Sequence, residues 1–342
     1  MKNRPSRFWE LMEGFIGKYL PIAVGASPNT IKSYKYAFRL LLEYLYSKQG
    51  IDADSIRFEQ LNYECITGFL DWLETERHCS VSTKNQRLSA LLSFSEYAQN
   101  RNFEAAAVFR SSLLKIPVKK GKKQCRTIFT MPEVTILLQM PNEKKSTGLR
   151  DKVLLSLMYA SGARAQEICD LRVRDVFFNS DQTISLILAG KGGKTRRIGT
   201  PVSCSKILEK FIRYREIENH PERHIFSSQT HEQMTVSCIE EIFKKYIKLA
   251  KEKYPKLFTA KSYPPHAMRH TTASHMLEAG VPLIVIKNFL GHTSLSSTQV
   301  YAEISQNTAD KHLREWGEKW FKVEPTKTDN SRKNRIPGFL NT

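Results

Sequence analysis

Six residues stand out for what their side chains could do together: Arg164, Lys191, His266, Arg269, His292 and Tyr301. Each has a short, recognisable context. Ala163-Arg164-Ala165-Gln166-Glu167-Ile168 comes first, then Gly190-Lys191-Gly192-Gly193-Lys194, then His266-Ala267-Met268-Arg269-His270 and Leu290-Gly291-His292, with Tyr301 nine residues further on. These types match what breaking a phosphodiester without metal or ATP requires. The diester is an anion that repels a nucleophile, and charge gathers on its non-bridging oxygens in the transition state. Two guanidiniums can clamp those oxygens with bidentate hydrogen bonds and stay charged at any working pH. An acid must protonate the leaving sugar oxygen. A tyrosine phenol can attack phosphorus and remain linked to it, which conserves the energy of the broken bond for rejoining.

Taken singly, each of these residues is ordinary. An Arg-x-x-Glu on a helix is usually a surface ion pair worth about 0–1 kcal/mol. Lys191 alone would be a turn lysine, and Tyr301 alone a half-buried aromatic. In this order and at these intervals they resemble the tyrosine recombinases, also called the phage-integrase family. The resemblance spans roughly residues 10–321. It is most specific from His266 to Tyr301 and next from Leu157 to Leu171, and Leu171, Gly280 and Leu290-Gly291 also fit framework positions. Two departures stand out. Met268 replaces the commoner Leu, and Ala302-Glu303 follows the tyrosine where Thr-His is frequent in chromosomal Xer proteins. Neither removes a reacting group, but both weigh against a housekeeping Xer role.

The resemblance implies a role for each residue. Arg164 and Arg269 would hold the scissile phosphate, and Lys191 would protonate the leaving 5′ oxygen. His266 would act as general base or proton carrier, and His292 would hydrogen-bond the phosphate or assist proton transfer. Tyr301 would form a 3′-phosphotyrosyl intermediate, while Glu167 would support the site structurally. No cofactor and no metal is implied. The implied substrate is double-stranded DNA at specific recombination sites. Strands would exchange through a Holliday junction within a homotetramer, or a hetero-tetramer with a related recombinase, with room for an accessory directionality factor. The expected role is integration or excision of a mobile element, the alternative being Xer-like resolution of chromosome or plasmid dimers. The expected location is cytoplasmic, at the nucleoid.

Composition agrees with a polyanionic partner. Lys and Arg number 53 against 34 acids in 342 residues, a formal net charge of +19, which favours nucleic acid. The densest positive stretch is 116–129, with five bases and no acid. A hydrophobic fraction of 41% supports an ordinary packed core. The six cysteines are scattered without a Cys-x-x-Cys pair, which fits neither a zinc site nor a secreted disulfide scaffold. A signal peptide and an apolar run long enough to span a membrane are both missing from the pattern. No carboxylate cluster stands at metal-ligand spacing, which disfavours a metal-dependent nuclease.

The elements that must position these groups are also legible. The expected fold is mainly α with a small antiparallel sheet. A helical core-binding (SAM-like) domain would span 1–115, a basic interdomain linker 116–129, a mixed α/β catalytic domain 130–321, and a flexible basic tail 322–342. Ser27-Pro28 and Ser80-Val81 read as helix starts with a capping serine. Further helices are expected at 8–20, 63–73 and 103–114. Thr130-Met131-Pro132-Glu133 reads as a capping box. It is followed by helices at 149–159 and 165–171, strands at 175–178, 183–188 and 195–199, and Gly190 to Lys194 as the hairpin turn. Helices at 203–218, 235–252, 266–279, 282–290, 296–301 and 308–321 complete the chain. Lys32, Arg39, Lys84 and Arg87 on the first domain's helices, and Lys119, Lys120, Lys122 and Lys123 in the linker, are candidates to meet DNA phosphates, which position a duplex without reading its sequence. The last helix carries an apolar stripe of Leu313, Trp316, Trp320 and Phe321. The resemblance implies that it docks on a neighbouring protomer. The short run before the first helix favours a simple recombinase without an arm-binding domain. Two rival classes remain, a binding-only module and a type IB topoisomerase-like enzyme.

Overall fold

The computed structural model of the chain describes residues 6–121, 126–190, 193–228, 230–292 and 294. The chain divides into two compact units, Met1–Gln124 and Cys125–Thr342. The described residues are mainly helical, with one three-stranded antiparallel sheet in the second unit. Lys191, Tyr301, Lys122 and Lys123 lie outside the described residues, as do the expected helices at 296–301 and 308–321.

The first unit holds α1 (Arg7–Gly14), α2 (Pro28–Gln49), α3 (Tyr63–Thr75), α4 (Val81–Gln99) and α5 (Phe103–Leu114). Its helix starts follow side-chain capping. Ser27 accepts from the Thr30 N–H and Ser80 from the Thr83 N–H, each at 3.2 Å, while Asn62 and Asn102 do the same for α3 and α5. The single helix expected at 8–20 is in fact two geometries, because α1 widens into a π-helical segment over Phe15–Ala23. Pro21 lies inside that segment and offers no N–H to the ladder, and the Val24 N–H reaches back five residues to Tyr19. Phe94 on α4 is the hub of the core. Its ring meets Phe8, Phe15, Phe38, Phe58 and Phe109 at centroid distances of 5.3 to 6.2 Å.

The second unit begins with α6 (Met131–Gln139), where Thr130 and Glu133 close a reciprocal capping box. Helix α7 (Ser146–Ser161) follows and is its central rod. Leu149, Val153, Leu154, Leu155, Leu157 and Met158 are all buried, and a helix apolar on most sides belongs inside. A short α8 (Ala165–Asp170) leads to β1 (Val176–Phe178), β2 (Ile184–Ala189) and β3 (Thr195–Thr200) in the order β1-β2-β3. The β2–β3 register pairs Leu186 with Ile198 and Leu188 with Arg196. Side chains alternate between faces along a strand, so Arg196 shares the inward face of β3 with the buried Ile198 and Thr200. The Gly190 N–H closes the base of the hairpin on the Lys194 carbonyl at 2.7 Å. Helices α9 (Val202–Tyr214), α10 (Val236–Lys253), α11 (Pro265–Glu278) and α12 (Leu283–Leu290) complete the described part. Among the described residues no helix is long and apolar enough to cross a membrane.

Gly162 ends α7 with φ +56°, and a Cβ built on it would lie 2.7 Å from Leu290 Cδ2. Left-handed backbone alone costs a side-chain-bearing residue about 1–2 kcal/mol, and the clash adds to it. Gly162→Ala is therefore expected to lower the thermal midpoint of the chain by several degrees, read by circular dichroism. An unchanged midpoint would mean that the turn relaxes.

Candidate active site

Arg164 stands at the N-terminus of α8, one turn before Glu167. Extended backbone at Arg164 (φ −74°, ψ 152°) lets Glu167 reach back to it. The Glu167 carboxylate accepts the Arg164 backbone N–H at 2.8 Å on Oε2 and the Arg164 Nη1 at 2.7 Å on Oε1. A second guanidinium, from Arg196 on β3, forks onto the same carboxylate, with Nη1 at 2.9 Å from Oε1 and Nη2 at 2.7 Å from Oε2. Burial works to raise the pKa of Glu167, but the hydrogen bonds and charge of Arg196 and Arg164 outweigh it and hold the group down at about 2. The Arg164 side chain is 35% exposed, against 3% for Glu167. Its guanidinium is thus gripped on one side and open to solvent on the other.

Arg269 is the second cation, on α11, and only 1% exposed. It donates from Nη1 to the Gly162 carbonyl at 2.7 Å and from Nη2 to the Leu290 carbonyl at 2.6 Å. It thereby ties the turn before Arg164 to the end of α12. That end is closed by a C-cap in which Gly291 takes the left-handed conformation (φ +67°) and the His292 N–H returns to the Lys287 carbonyl at 3.0 Å. Backbone geometry therefore places His292 beside Arg269. Further along α11, Thr271 Oγ1 accepts the Phe129 N–H, and the hydroxyl of Thr272 donates to the Tyr159 carbonyl.

The charges of these groups act on one another. Burial pushes the pKa of His292 down to about 4, and the guanidiniums of Arg269 and Arg164 push the same way. His266, although its ring reaches solvent, is also lowered, by the protein packed around it and then by Arg269, Arg164 and Arg126. His270, whose ring lies edge-on to His266 at 4.5 Å, is driven to about 3 by burial and by His266 and Arg126. Arg164, Arg269, His266 and His292 therefore share one electrostatic neighbourhood, with neutral imidazoles in a field of fixed positive charge. A field of that sign favours an anion.

Three members of this neighbourhood are missing from the motif-based reading. Arg126, the last base of the linker run, reaches the histidines in the field they feel. Thr127 and Phe129 beside it are fastened to Ser262 and Thr271. His270 follows Arg269 directly. Arg196 carried a readable signal, as a charge at an inward position of a strand.

The candidates in the first unit fall into two groups. Lys32, Arg39 and Arg87 line a cleft of about 500 Å³ together with Lys35, Tyr36 and Gln86. The Arg39 and Arg87 guanidiniums lie 4.7 and 4.9 Å from the Tyr36 ring centroid, and Lys120 is exposed. Lys84 is placed differently from the solvated lysine the sequence suggests, whereas Lys119 is exposed but ion-paired. Lys84 is buried and paired with Asp71 at 3.2 Å and Glu74 at 2.9 Å, and Lys119 also meets Glu74 at 2.9 Å. Asp71 and Glu74 sit one turn apart on α3, so the pair presents its carboxylates together. Hydrogen bonds from Lys119 and Lys84 hold Glu74 down at about 2.

Residues 127–308 match the phage integrase family, and residues 20–105 match the phage integrase N-terminal SAM-like domain. The chain is 32% identical over 293 residues to a putative integrase/recombinase, y4rC, of Sinorhizobium fredii, covering 86% of each. It is also 32% identical over 305 residues to the tyrosine recombinase XerC of Chlamydia caviae, covering 84% of this chain and 92% of that one. Its fold is similar to that of the Tn1549 transposon integrase solved with a circular intermediate DNA, with a TM-score of 0.69, 15% identity, and coverage of 91% of this chain and all of that one. The chain belongs to the phage integrase family, the tyrosine recombinases, and its activity is the cleavage and rejoining of DNA characteristic of them.

The depressed imidazoles give a pH signature. A histidine held below its ordinary pKa of 6.5 stays neutral, and able to accept a proton, as pH falls through 6.5. The pH dependence of kcat/KM reports groups in the free enzyme. Cleavage at sub-saturating protein should therefore have its acid limb below pH 6.5. A half-loss of rate at 6.5, in a buffer series at constant ionic strength, would contradict this.

Proposed function

We propose that this protein is a site-specific recombinase of a mobile DNA element, cutting and rejoining double-stranded DNA through Tyr301. Arg164 and Arg269 hold the scissile phosphate. The Tyr301 oxygen attacks phosphorus in line and expels the 5′ oxygen, which Lys191 protonates. The result is a 3′-phosphotyrosyl link and a free 5′ hydroxyl. His266 takes the phenol proton and His292 hydrogen-bonds the phosphate. Attack by the 5′ hydroxyl of another strand reverses the step and frees Tyr301. No cofactor is needed, because the phosphotyrosine carries the bond energy. The observation that carries this reading is the anchoring of Arg164 and Arg269 to one structural frame, with neutral His266 and His292 in their field.

Around this chemistry, four protomers, alike or paired with a related recombinase, hold two DNA sites and exchange strands through a Holliday junction. An accessory factor sets direction where integration and excision must be separated. Lys32, Arg39 and Arg87 around the α2–α4 cleft, together with Lys120, contact phosphates. Lys119, exposed beside Glu74, also contacts phosphates, whereas the buried Lys84 contributes only if a phosphate displaces its carboxylate partners. The relative y4rC supports the mobile-element role. The equal identity to a XerC over 92% of that protein's length favours dimer resolution as the second reading. DNA flanking the gene separates the two, as an element end would be cut in the first case and a chromosomal or plasmid resolution site in the second.

The deciding experiment mixes purified protein with a nicked duplex built from that flanking DNA and looks for a covalent band on a denaturing gel. Wild type should form the band. Tyr301→Phe should form none while still shifting the duplex on a native gel. Arg164→Lys should slow the band by about 10²–10³-fold, the usual loss for one transition-state donor. Equal bands from wild type and Tyr301→Phe would defeat the reading. Relaxation of supercoiled DNA without dependence on a site would instead mark a topoisomerase-like enzyme.

A further inference from the structure

Among the described residues of the second unit, one inward-facing charge is not among the six motif residues. Arg196 points inward from β3, in register with Leu188 and on the same face as Ile198 and Thr200. Its side chain is only 10% exposed. A guanidinium at such a position is costly unless its donors are used, and each of its three nitrogens donates. Nη1 and Nη2 fork onto Glu167, and Nε reaches the Phe289 carbonyl at 3.0 Å. The chain also makes room for it. A Cβ at Gly291 would lie 3.0 Å from Arg196 Cδ, so the residue before His292 must be small to pack on the Arg196 stem.

We propose that Arg196 is a positioning residue for strand cleavage: it occupies the Glu167 carboxylate, so that the guanidinium of Arg164 keeps its charge for an anion, and it fixes the end of α12 that presents His292. Glu167 carries one negative charge and faces two guanidiniums. With Arg196 in place the cluster of three groups remains net positive, with Arg164 as its solvent-facing member. Without Arg196 the carboxylate would be matched by Arg164 alone, and the field that Arg164 offers a phosphate would be largely cancelled. At the same time the Phe289 carbonyl, next to the Leu290 carbonyl held by Arg269, would lose its donor. Lysine cannot replace this function. It is a point charge that cannot fork onto a carboxylate and also reach a carbonyl on another helix. The same anchor ties β3 to α8, and Lys191 precedes Arg196 by five residues in the sequence.

This inference rests on the proposed cleavage reaction, and its test has an arm that does not. Arg196→Gln, Arg196→Lys, Glu167→Gln and the double variant Arg196→Gln/Glu167→Gln are made in the full chain, and folding is checked by circular dichroism and thermal midpoint. Binding of inorganic phosphate is measured by calorimetry, and the covalent-complex rate at saturating protein is measured on the nicked duplex. Arg196→Gln should weaken phosphate binding several-fold and slow cleavage by about 10²-fold, the scale of a misplaced catalytic group, with DNA affinity little changed. Arg196→Lys should fold and still cleave slowly. The double variant should recover phosphate affinity over Arg196→Gln, because the orphaned carboxylate is gone. A residue that merely supports the fold would show no such recovery. Unchanged phosphate affinity in Arg196→Gln, or a double variant no better than Arg196→Gln, overturns the proposal. If wild type forms no covalent complex, the cleavage reading fails, and the phosphate arm still decides the role of Arg196.

Discussion

The buried carboxylate of Glu167, shared between two guanidiniums, is the constraint on which the second unit's site depends. Its four short hydrogen bonds join the N-terminus of α8 to β3, and through Arg196 to the end of α12. Breaking a buried ion pair by removing one partner typically costs about 3–5 kcal/mol, because the remaining charge is left uncompensated. The arrangement therefore tolerates little slack, and slack is what a phosphate clamp cannot have. Arg164 inherits its orientation from a side chain that cannot move without exposing a charge. Arg269 is fixed by the same logic applied to carbonyls.

A phosphodiester arriving at this frame meets an environment organised in advance. The guanidiniums are held by the fold rather than by the substrate, so little reorganisation accompanies the chemistry. Burial, and after it the neighbouring cations, hold the imidazoles of His266 and His292 below their ordinary pKa. In the proposed reaction an entering anion would offset those cations, and the proton affinity of the imidazoles would rise as it binds. Charge and proton transfer are thus coupled through proximity alone.

Much of this was legible in the residues. The capping residues at Ser27, Ser80 and Thr130 announced their helices because a cap is a local interaction, complete within four residues. The three strands and the hairpin at Gly190 followed from alternation and glycine. The π-helical segment over Phe15–Ala23 did not, since a widened turn has no periodic signature beyond Pro21 itself. Lys84 read as a surface lysine because nothing local shows that Asp71 and Glu74, on another helix, will face it. Arg164, His266, Arg269 and His292 were visible as motifs. That Arg126, Arg196 and His270 join them depends on how α8, β3, α11 and α12 converge, which is tertiary information. Arg196 lay between the two levels, its inward position readable and its partners not.

Arg269 gives the unit a particular way of failing. The carbonyls at the C-terminus of a helix are the ones most prone to fray, and in α12 one of them, that of Leu290, is held by the buried guanidinium of Arg269. Native proteins open locally before they unfold globally. Any opening that loosens the last turn of α12 here also releases Arg269 and the backbone that carries His292. Fraying of the last turn of α12 and loosening of the Arg269–His292 arrangement are therefore one event.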